Sequence, residues 1–366
     1  MKILFIGDYS NLHTTLARQL RRMGHQADVL SDGCEHMNLH SDFYIKRNPG
    51  FIGSFRYLYD LFNILPDLKG YDAVQLINTN FLKLRPQKIK YFYDRIKEQN
   101  GGMFLTLAGN DYYYAKACYE GKLFRFSEFK VGKDFTPGHN EKPEHLYGWI
   151  SNKNRILAEY LYEDVKGAMS VLPEYDMVGR PILGDRLKFT NLPIDLSEIP
   201  PAFEKKDNKI RILVGIRSGA QIFKGTLKLR DIAMEIEKEM SGKVEAVVVK
   251  DLPLRDYLNI MAEADIVLDQ LYAYSPAMNA LYAMALGKVA ATGAQPEYYE
   301  YIGNPKDKPL FSLSPLDADI KLRLKDLVEQ PSLIKEKGQQ SKEIVKANND
   351  SRIVAERFLK HWENLL

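Results

Sequence analysis

The sequence predicts an α/β protein built from two doubly wound domains joined by one linker. Short, wholly apolar runs recur along the chain, each followed by a Gly-rich or polar loop and then by a stretch of helical period. Strands that are apolar on both faces and alternate with helices belong to parallel sheets covered on both sides. The series runs twice with a Pro- and charge-rich segment between, and 366 residues suit two domains at roughly 150 residues each.

Lys2–Ile6 is the first strand. After the loop Gly7-Asp8-Tyr9-Ser10, Leu12, Leu16, Leu20 and Met23 share one face of a helix that Ser10 is placed to cap and Gly24 to end. Residues 27–30, 73–77 and 103–107 read as further strands, the last two separated by the basic helix 86–99. Residues 110–150, rich in aromatics and Gly, read as an insertion or a lid. Asn191-Leu192-Pro193-Ile194-Asp195, Pro200-Pro201 and Glu204-Lys205-Lys206-Asp207 form the linker. The second series is strand 211–216, helix 227–240, strand 244–249, helix 254–262, strand 266–268, helix 276–286 ended by Gly287, and strand 289–291. Ser351–Leu366 is a helix bearing Val354, Phe358, Trp362 and Leu365, with no strand of its own, so that face is buried elsewhere. The domains are therefore 1–196 with 351–366, and 205–345.

Composition narrows the function. Lys and Arg number 51 against 48 Asp and Glu, a net of +3, too balanced for a dedicated DNA binder. Two cysteines, Cys34 and Cys118, exclude a disulfide framework and a tetrathiolate zinc site, and the chain reads as intracellular. The seven histidines form no His-Glu-x-x-His. No apolar run approaches the ~18 residues of a membrane span. Ile3-Leu4-Phe5-Ile6 stops at Gly7-Asp8, too short for a signal peptide.

Three places carry chemistry. Ser275 suits an N-cap and Pro276 the first helical position, which would leave bare amides and a positive dipole end at the start of that helix. Such a site favours a phosphate by up to ~1–2 kcal/mol before any side chain contributes. The plain alternative is an ordinary strand–loop–helix turn. Arg217 and Lys224 follow a strand end and precede a helix. Arg grips a phosphate with two parallel bonds and Lys supplies a point charge, so with the helix at Pro276 they would hold a diphosphate. The alternative is that both are solvated surface charges. Ligands in such sheets bind at the carboxyl ends of the strands, and two facing domains make the inter-domain cleft the default site.

The order of these features resembles the GT-B glycosyltransferases, specifically the retaining family-4 group. Arg217…Lys224-Gly225 resembles that family's Arg/Lys pair after the first strand of the second domain. Residues 262–268, the helix 281–288, Leu192-Pro193-Ile194-Asp195 and Thr106-Leu107-Ala108-Gly109-Asn110-Asp111 are similar to its further motifs, in the same order. The chain departs from the pattern where Tyr274 and Tyr282 occupy the places of two glutamates, and Ala108 that of a histidine.

The resemblance implies two Rossmann-like domains facing across a cleft, with the C-terminal helix packed back on the N-terminal domain. It implies transfer of a sugar from a UDP- or GDP-linked donor to a saccharide or lipid-linked acceptor hydroxyl, with anomeric configuration retained and no metal or other cofactor. Arg217, Lys224 and residues Ser275, Pro276, Ala277 and Asn279 would hold the leaving diphosphate. Tyr274 and Tyr282 would lie beside the donor, and Lys250, Asp251 and Leu252 beside its base. Asp111 would orient the acceptor or a sugar hydroxyl, with a loop-capping role as its alternative. Gly7, Ser10, Asn11, Gly109 and Asn110 would border the cleft. The setting implied is cytoplasmic surface-polysaccharide or lipid-linked glycan assembly at the inner face of the membrane, without nucleic acid.

The basic amphipathic stretch 83–99 reads either as a solvated outer helix face or as a contact with anionic lipid. Tyr112-Tyr113-Tyr114 would stack on sugar rings or simply pack. Two other functions fit the same fold: a non-catalytic binding module, suggested by the two tyrosines, and a nucleotide-sugar epimerase.

Overall fold

The computed structural model describes residues 1–33, 41–201, 203, 205 and 207–366. Cys34, Glu204 and Lys206, singled out above, lie outside the described residues. The chain begins β1 (Lys2–Ile6), α1 (Leu12–Arg22), β2 (Gln26–Ser31), β3 (Phe43–Tyr44), α2 (Gly50–Ile64), β4 (Ala73–Leu76), α3 (Pro86–Lys97), β5 (Gly102–Leu107) and α4 (Tyr112–Glu120). There follow β6 (Lys130–Val131), β7 (Asp134–Phe135), α5 (Pro137–Glu141), α6 (Pro143–Trp149), α7 (Asn152–Asp164), β8 (Gly167–Ser170), α8 (Pro173–Leu183) and β9 (Leu187–Phe189). The remainder is β10 (Ile210–Ile216), α9 (Gln221–Lys224), α10 (Thr226–Glu239), β11 (Val244–Lys250), α11 (Leu254–Glu263), β12 (Ile266–Leu268) and α12 (Met278–Ala285). It closes with β13 (Val289–Thr292), α13 (Pro296–Tyr301), β14 (Phe311–Ser312), α14 (Ile320–Val328), α15 (Pro331–Asn348) and α16 (Ser351–Leu365). Two compact units result: unit 1 is Met1–Lys116, Tyr147–Pro193 and Ser351–Leu366, and unit 2 is Ala117–Leu146 and Ile194–Asp350.

Unit 1 holds a seven-stranded parallel sheet in the order β3-β2-β1-β4-β5-β8-β9. Every residue of β4, β5 and β8 is buried, as strands covered on both faces require. α1 ends as its sequence predicts. Gly24 lies at φ 87°, its amide donates to the Arg21 carbonyl, and the His25 amide donates to that of Leu20, the paired bonds of a Schellman cap. The start of α1 differs. Its N-cap is Asn11, in the left-handed region, and no N-cap side chain bonds its first turn. Asp8 acts instead, accepting from the His13 and Thr14 amides at 2.9 and 3.1 Å and from the Thr14 hydroxyl at 2.6 Å. A carboxylate outcompetes the Ser10 hydroxyl for those amides because its bonds are charge-assisted.

The C-terminal helix completes this unit. Val354, Phe358 and Trp362 are buried. Trp362 Nε1 donates to Gln75 Oε1 at 2.9 Å, and Gln75 Nε2 donates to Thr106 Oγ1 at 2.9 Å. His13 Nδ1 lies 2.7 Å from the Gly7 carbonyl, which can only accept, so that nitrogen carries the proton. His13 Nε2, 3.1 Å from Thr106 Oγ1, therefore accepts the threonine proton. One directed chain of hydrogen bonds thus runs from α16 through β4 and β5 to the loop after β1. Burial keeps His13 neutral, lowering its pKa to about 3.

Unit 2 holds a five-stranded parallel sheet in the order β11-β10-β12-β13-β14. Its core includes Ile212, Val214, Leu229, Ala233, Ile236, Ile266 and Leu268, with Leu229, Ala233 and Ile236 lying on the helix face the periodicity predicts. The segment 117–146, which the sequence placed in the N-terminal domain, belongs here. Phe126 and Phe124 set their rings 4.7 and 5.4 Å from that of Tyr274, and the Arg125 amide donates to the Tyr274 hydroxyl at 2.5 Å. The Arg125 guanidinium grips Glu297 at 2.7 and 3.1 Å. Burial alone would raise the Glu297 carboxyl, but Arg125 brings it below its ordinary value.

Candidate functional site

Both sheets reverse strand order beside their first strand: between β1 and β4 in unit 1, and between β10 and β12 in unit 2. Doubly wound sheets bind ligands at the carboxyl end of this switch point.

In unit 2, the loops after β10 and β12 are locked together there. The Leu271 amide donates to the Lys224 carbonyl at 2.9 Å. Between them lies Gly225, at φ 69°, where a Cβ would come within 2.8 Å of Leu271 Cδ1, so the approach needs a residue without one. Lys224, half-buried, forms no ion pair among the described residues. Arg217 is exposed just past β10. Next to it, Ser218 donates its amide to Asp251 Oδ1 at 2.8 Å and its hydroxyl to Oδ2 at 2.5 Å. These bonds hold the Asp251 carboxyl below its usual range. Asp251 is thus a latch between the loops after β10 and β11, while Lys250 and Leu252 beside it are exposed.

The helix after β12 starts later than the sequence predicts. Its N-cap is Ala277, not Ser275, and Pro276 precedes the helix. Ala277 has no side chain to satisfy the first-turn amides, so α12 starts without a side-chain cap, as an anion site requires. The displacement has a cause. The loop after β12 is tied down before the helix can begin: the Gln295 amide donates to the Tyr274 carbonyl at 2.9 Å, and Ser275 and Pro276 are buried. Asp269, which sequence reasoning missed, fixes the first turn. It is buried and accepts from Asn279 Nδ2 at 3.0 Å and from the Thr292 hydroxyl at 3.1 Å. Asn279 Oδ1 is buried and takes no hydrogen-bond partner among the described residues. A carboxylate right after a strand and ten residues before an Asn is the signal that would have found it. Tyr282 is buried on α12, and the Tyr274 hydroxyl is occupied by Arg125 as described.

In unit 1, the residues expected to border a cleft lie in the loops after β1 and β5. Gly7, at φ 78°, lies against Ile77, and a Cβ on Gly109, at φ 69°, would come within 3.2 Å of the Tyr9 ring. Ser10 is exposed and Asn11 buried, both in left-handed conformations, and Asn110 is half-buried. Asp111 caps α4: Oδ1 accepts from the Tyr114 amide at 2.8 Å, and Oδ2 from the Tyr162 hydroxyl at 2.6 Å. Burial raises its pKa against those two bonds. Both carboxylate oxygens are held inside the unit, the arrangement of the capping alternative. Tyr113 packs at 4.7 Å from Tyr162, and Tyr114 at 4.9 Å from Tyr175. Among the described residues no group of three or more His, Cys, Asp or Glu side chains is placed to hold a metal, and no helix is long and apolar enough to cross a membrane.

No family model and no curated protein matches the chain. Solved structures do. It is similar to sucrose-phosphate synthase from Thermosynechococcus elongatus, at 11% identity and TM-score 0.62 over 100% of this chain and 99% of that one. It is similar to Anabaena HepE, solved with UDP and glucose, at 13% identity and TM-score 0.62 over 100% of both chains. It is also similar to WaaG, a glycosyltransferase involved in lipopolysaccharide biosynthesis, at 13% identity and TM-score 0.62 over 99% of both. The fold is GT-B, with two Rossmann-like units and the C-terminal helix returned to the first.

Proposed function

We propose that this GT-B protein transfers a sugar from a nucleoside-diphosphate donor, UDP- or GDP-linked, to a hydroxyl of a saccharide or lipid-linked acceptor. The observation that carries this is the switch point of unit 2, where Lys224 is bonded through its carbonyl to the loop that leads into the uncapped α12. Negative charge grows on the departing diphosphate in the transition state. On this reading the first-turn amides of α12, a guanidinium and an ammonium stabilise that charge. Arg217 supplies bidentate bonds and Lys224 a point charge. On this reading the positive groups do the work of a metal, and transfer proceeds with retention. The donor-bound HepE structure, solved with UDP-glucose, supports a uridine donor. A cytoplasmic role in surface-polysaccharide or lipid-linked glycan assembly follows from the acceptor class.

A second reading is a binding module without turnover. It is favoured by Tyr274, whose hydroxyl is held by a backbone amide and does not present itself to a ribose. A thermal-shift panel of nucleoside diphosphates tests the donor site: at 100 times its Kd the right one stabilises by ~2.7 kcal/mol. Flat curves across the panel sink both readings. A shift with UDP or GDP, without release of nucleoside diphosphate from any sugar donor, leaves the binding module.

A further inference from the structure

α2 runs for 15 residues but buries only Tyr57 and Leu61. On the opposite side Phe51, Ile52, Phe55 and Tyr59 are 86%, 82%, 66% and 60% exposed, and Phe62 is exposed as well. Their spacing gathers all five within about 100° of the helix circumference. The stripe continues onto α3, where exposed Tyr91 sets its ring 6.0 Å from Phe62. Cations rim it. Arg47 donates to the Ser54 hydroxyl in the second turn of α2 and to the Lys83 carbonyl before α3. Exposed Arg47, Arg85 and Lys88 meet no carboxylate among the described residues.

A contiguous exposed apolar stripe of this kind marks an interaction surface. The charge around it selects the partner: a second copy would set cation against cation, whereas a bilayer with anionic headgroups offers an apolar interior beneath a negative edge. We propose that α2 lies in the interfacial plane of an anionic membrane, with Phe51, Ile52 and Phe55 entering the acyl boundary and Arg47, Arg85 and Lys88 meeting lipid phosphates. The stretch 83–99, which the sequence offered for lipid contact, has a flanking role, because Ile89, Phe92, Tyr93 and Ile96 are buried inside unit 1.

The test uses the full chain, vesicles of phosphatidylcholine with and without phosphatidylglycerol, and no nucleotide, so it stands apart from the transferase reading. The protein should float with the anionic vesicles and be released by salt, which shortens the range of the headgroup attraction. Phe51→Ser combined with Phe55→Ser should lower the partition constant ~100-fold, roughly tenfold per anchor, with an unchanged melting temperature. Phe55→Trp should shift its emission to the blue on adding those vesicles. Three results would each overturn the proposal: no flotation with either vesicle, equal flotation of the double variant, or a lipid-free dimer that the double variant dissociates.

Discussion

At the carboxyl end of the unit 1 sheet, charged groups are turned inward. Asp8 caps α1, Asp111 caps α4 and bonds Tyr162, and His13 is neutral at the end of a chain of hydrogen bonds. At the same end of the unit 2 sheet, Lys224 has no carboxylate partner among the described residues, Arg217 is exposed, and α12 begins at an alanine. The same winding therefore supports two electrostatic designs. The first spends its polar groups on its own loops. The second also ties its loops with carboxylates, Asp251 and Asp269, but its Lys224 forms no ion pair among the described residues, which fits the phosphate site proposed above.

Five measurements test this contrast. Lys224→Ala should cost roughly 10²–10³ in donor turnover, the loss expected for one preorganised charge, with an unchanged melting temperature. Full activity in that variant would erase the difference between the units. Asp111→Ala should instead show in stability, by ~2–3 kcal/mol, because it removes a helix cap and orphans the buried Tyr162 hydroxyl. Nucleotide affinity in that variant should match the parent.

His13 gives a pH signature of unit 1. Its folded pKa, about 3, lies below the ordinary histidine value of 6.5, so the unfolded chain binds the extra proton between these values. Stability contributed by the neutral ring is complete above pH ~6.5 and falls with acidification toward pH ~3, at a slope of up to ~1.4 kcal/mol per unit. Melting followed across that range should flatten in His13→Gln; an unaltered slope refutes the buried neutral assignment.

Ala277→Asp should cap α12 and place a negative charge in the proposed anion site, raising the melting temperature while weakening nucleoside-diphosphate binding ~10-fold by calorimetry. Tyr274→Phe is the mildest change. It deprives the Arg125 amide of its acceptor and should cost ~1 kcal/mol by denaturant titration, with nucleotide affinity unmoved. A large affinity loss there would restore Tyr274 to the donor site.

Sequence reading recovered what is local or periodic. Strands β1, β4, β5 and β10 to β13 are visible as runs dominated by apolar residues, with Gln75 and Thr106 among the few polar ones, and Gly24 because only glycine takes that φ cheaply. Helix starts were read less well. The predicted caps Ser10 and Ser275 lost to Asp8 and to the anchoring of the loop after β12, which are contacts between parts of a loop and not a residue-by-residue preference. The placement of 117–146 depends on Tyr274, some 150 residues away, and leaves no trace in local composition. α2 is not legible in the sequence because its exposed side is as apolar as its buried one, so periodicity gives no contrast.

The return of α16 to unit 1 has a consequence for synthesis. Unit 2 is complete once residue 350 has left the ribosome, whereas the first strands of the chain must wait for its last helix to close their core. Until Trp362 emerges, Gln75 lacks the indole donor at one end of its bonding chain. The half of the protein made first is therefore the half that finishes folding last.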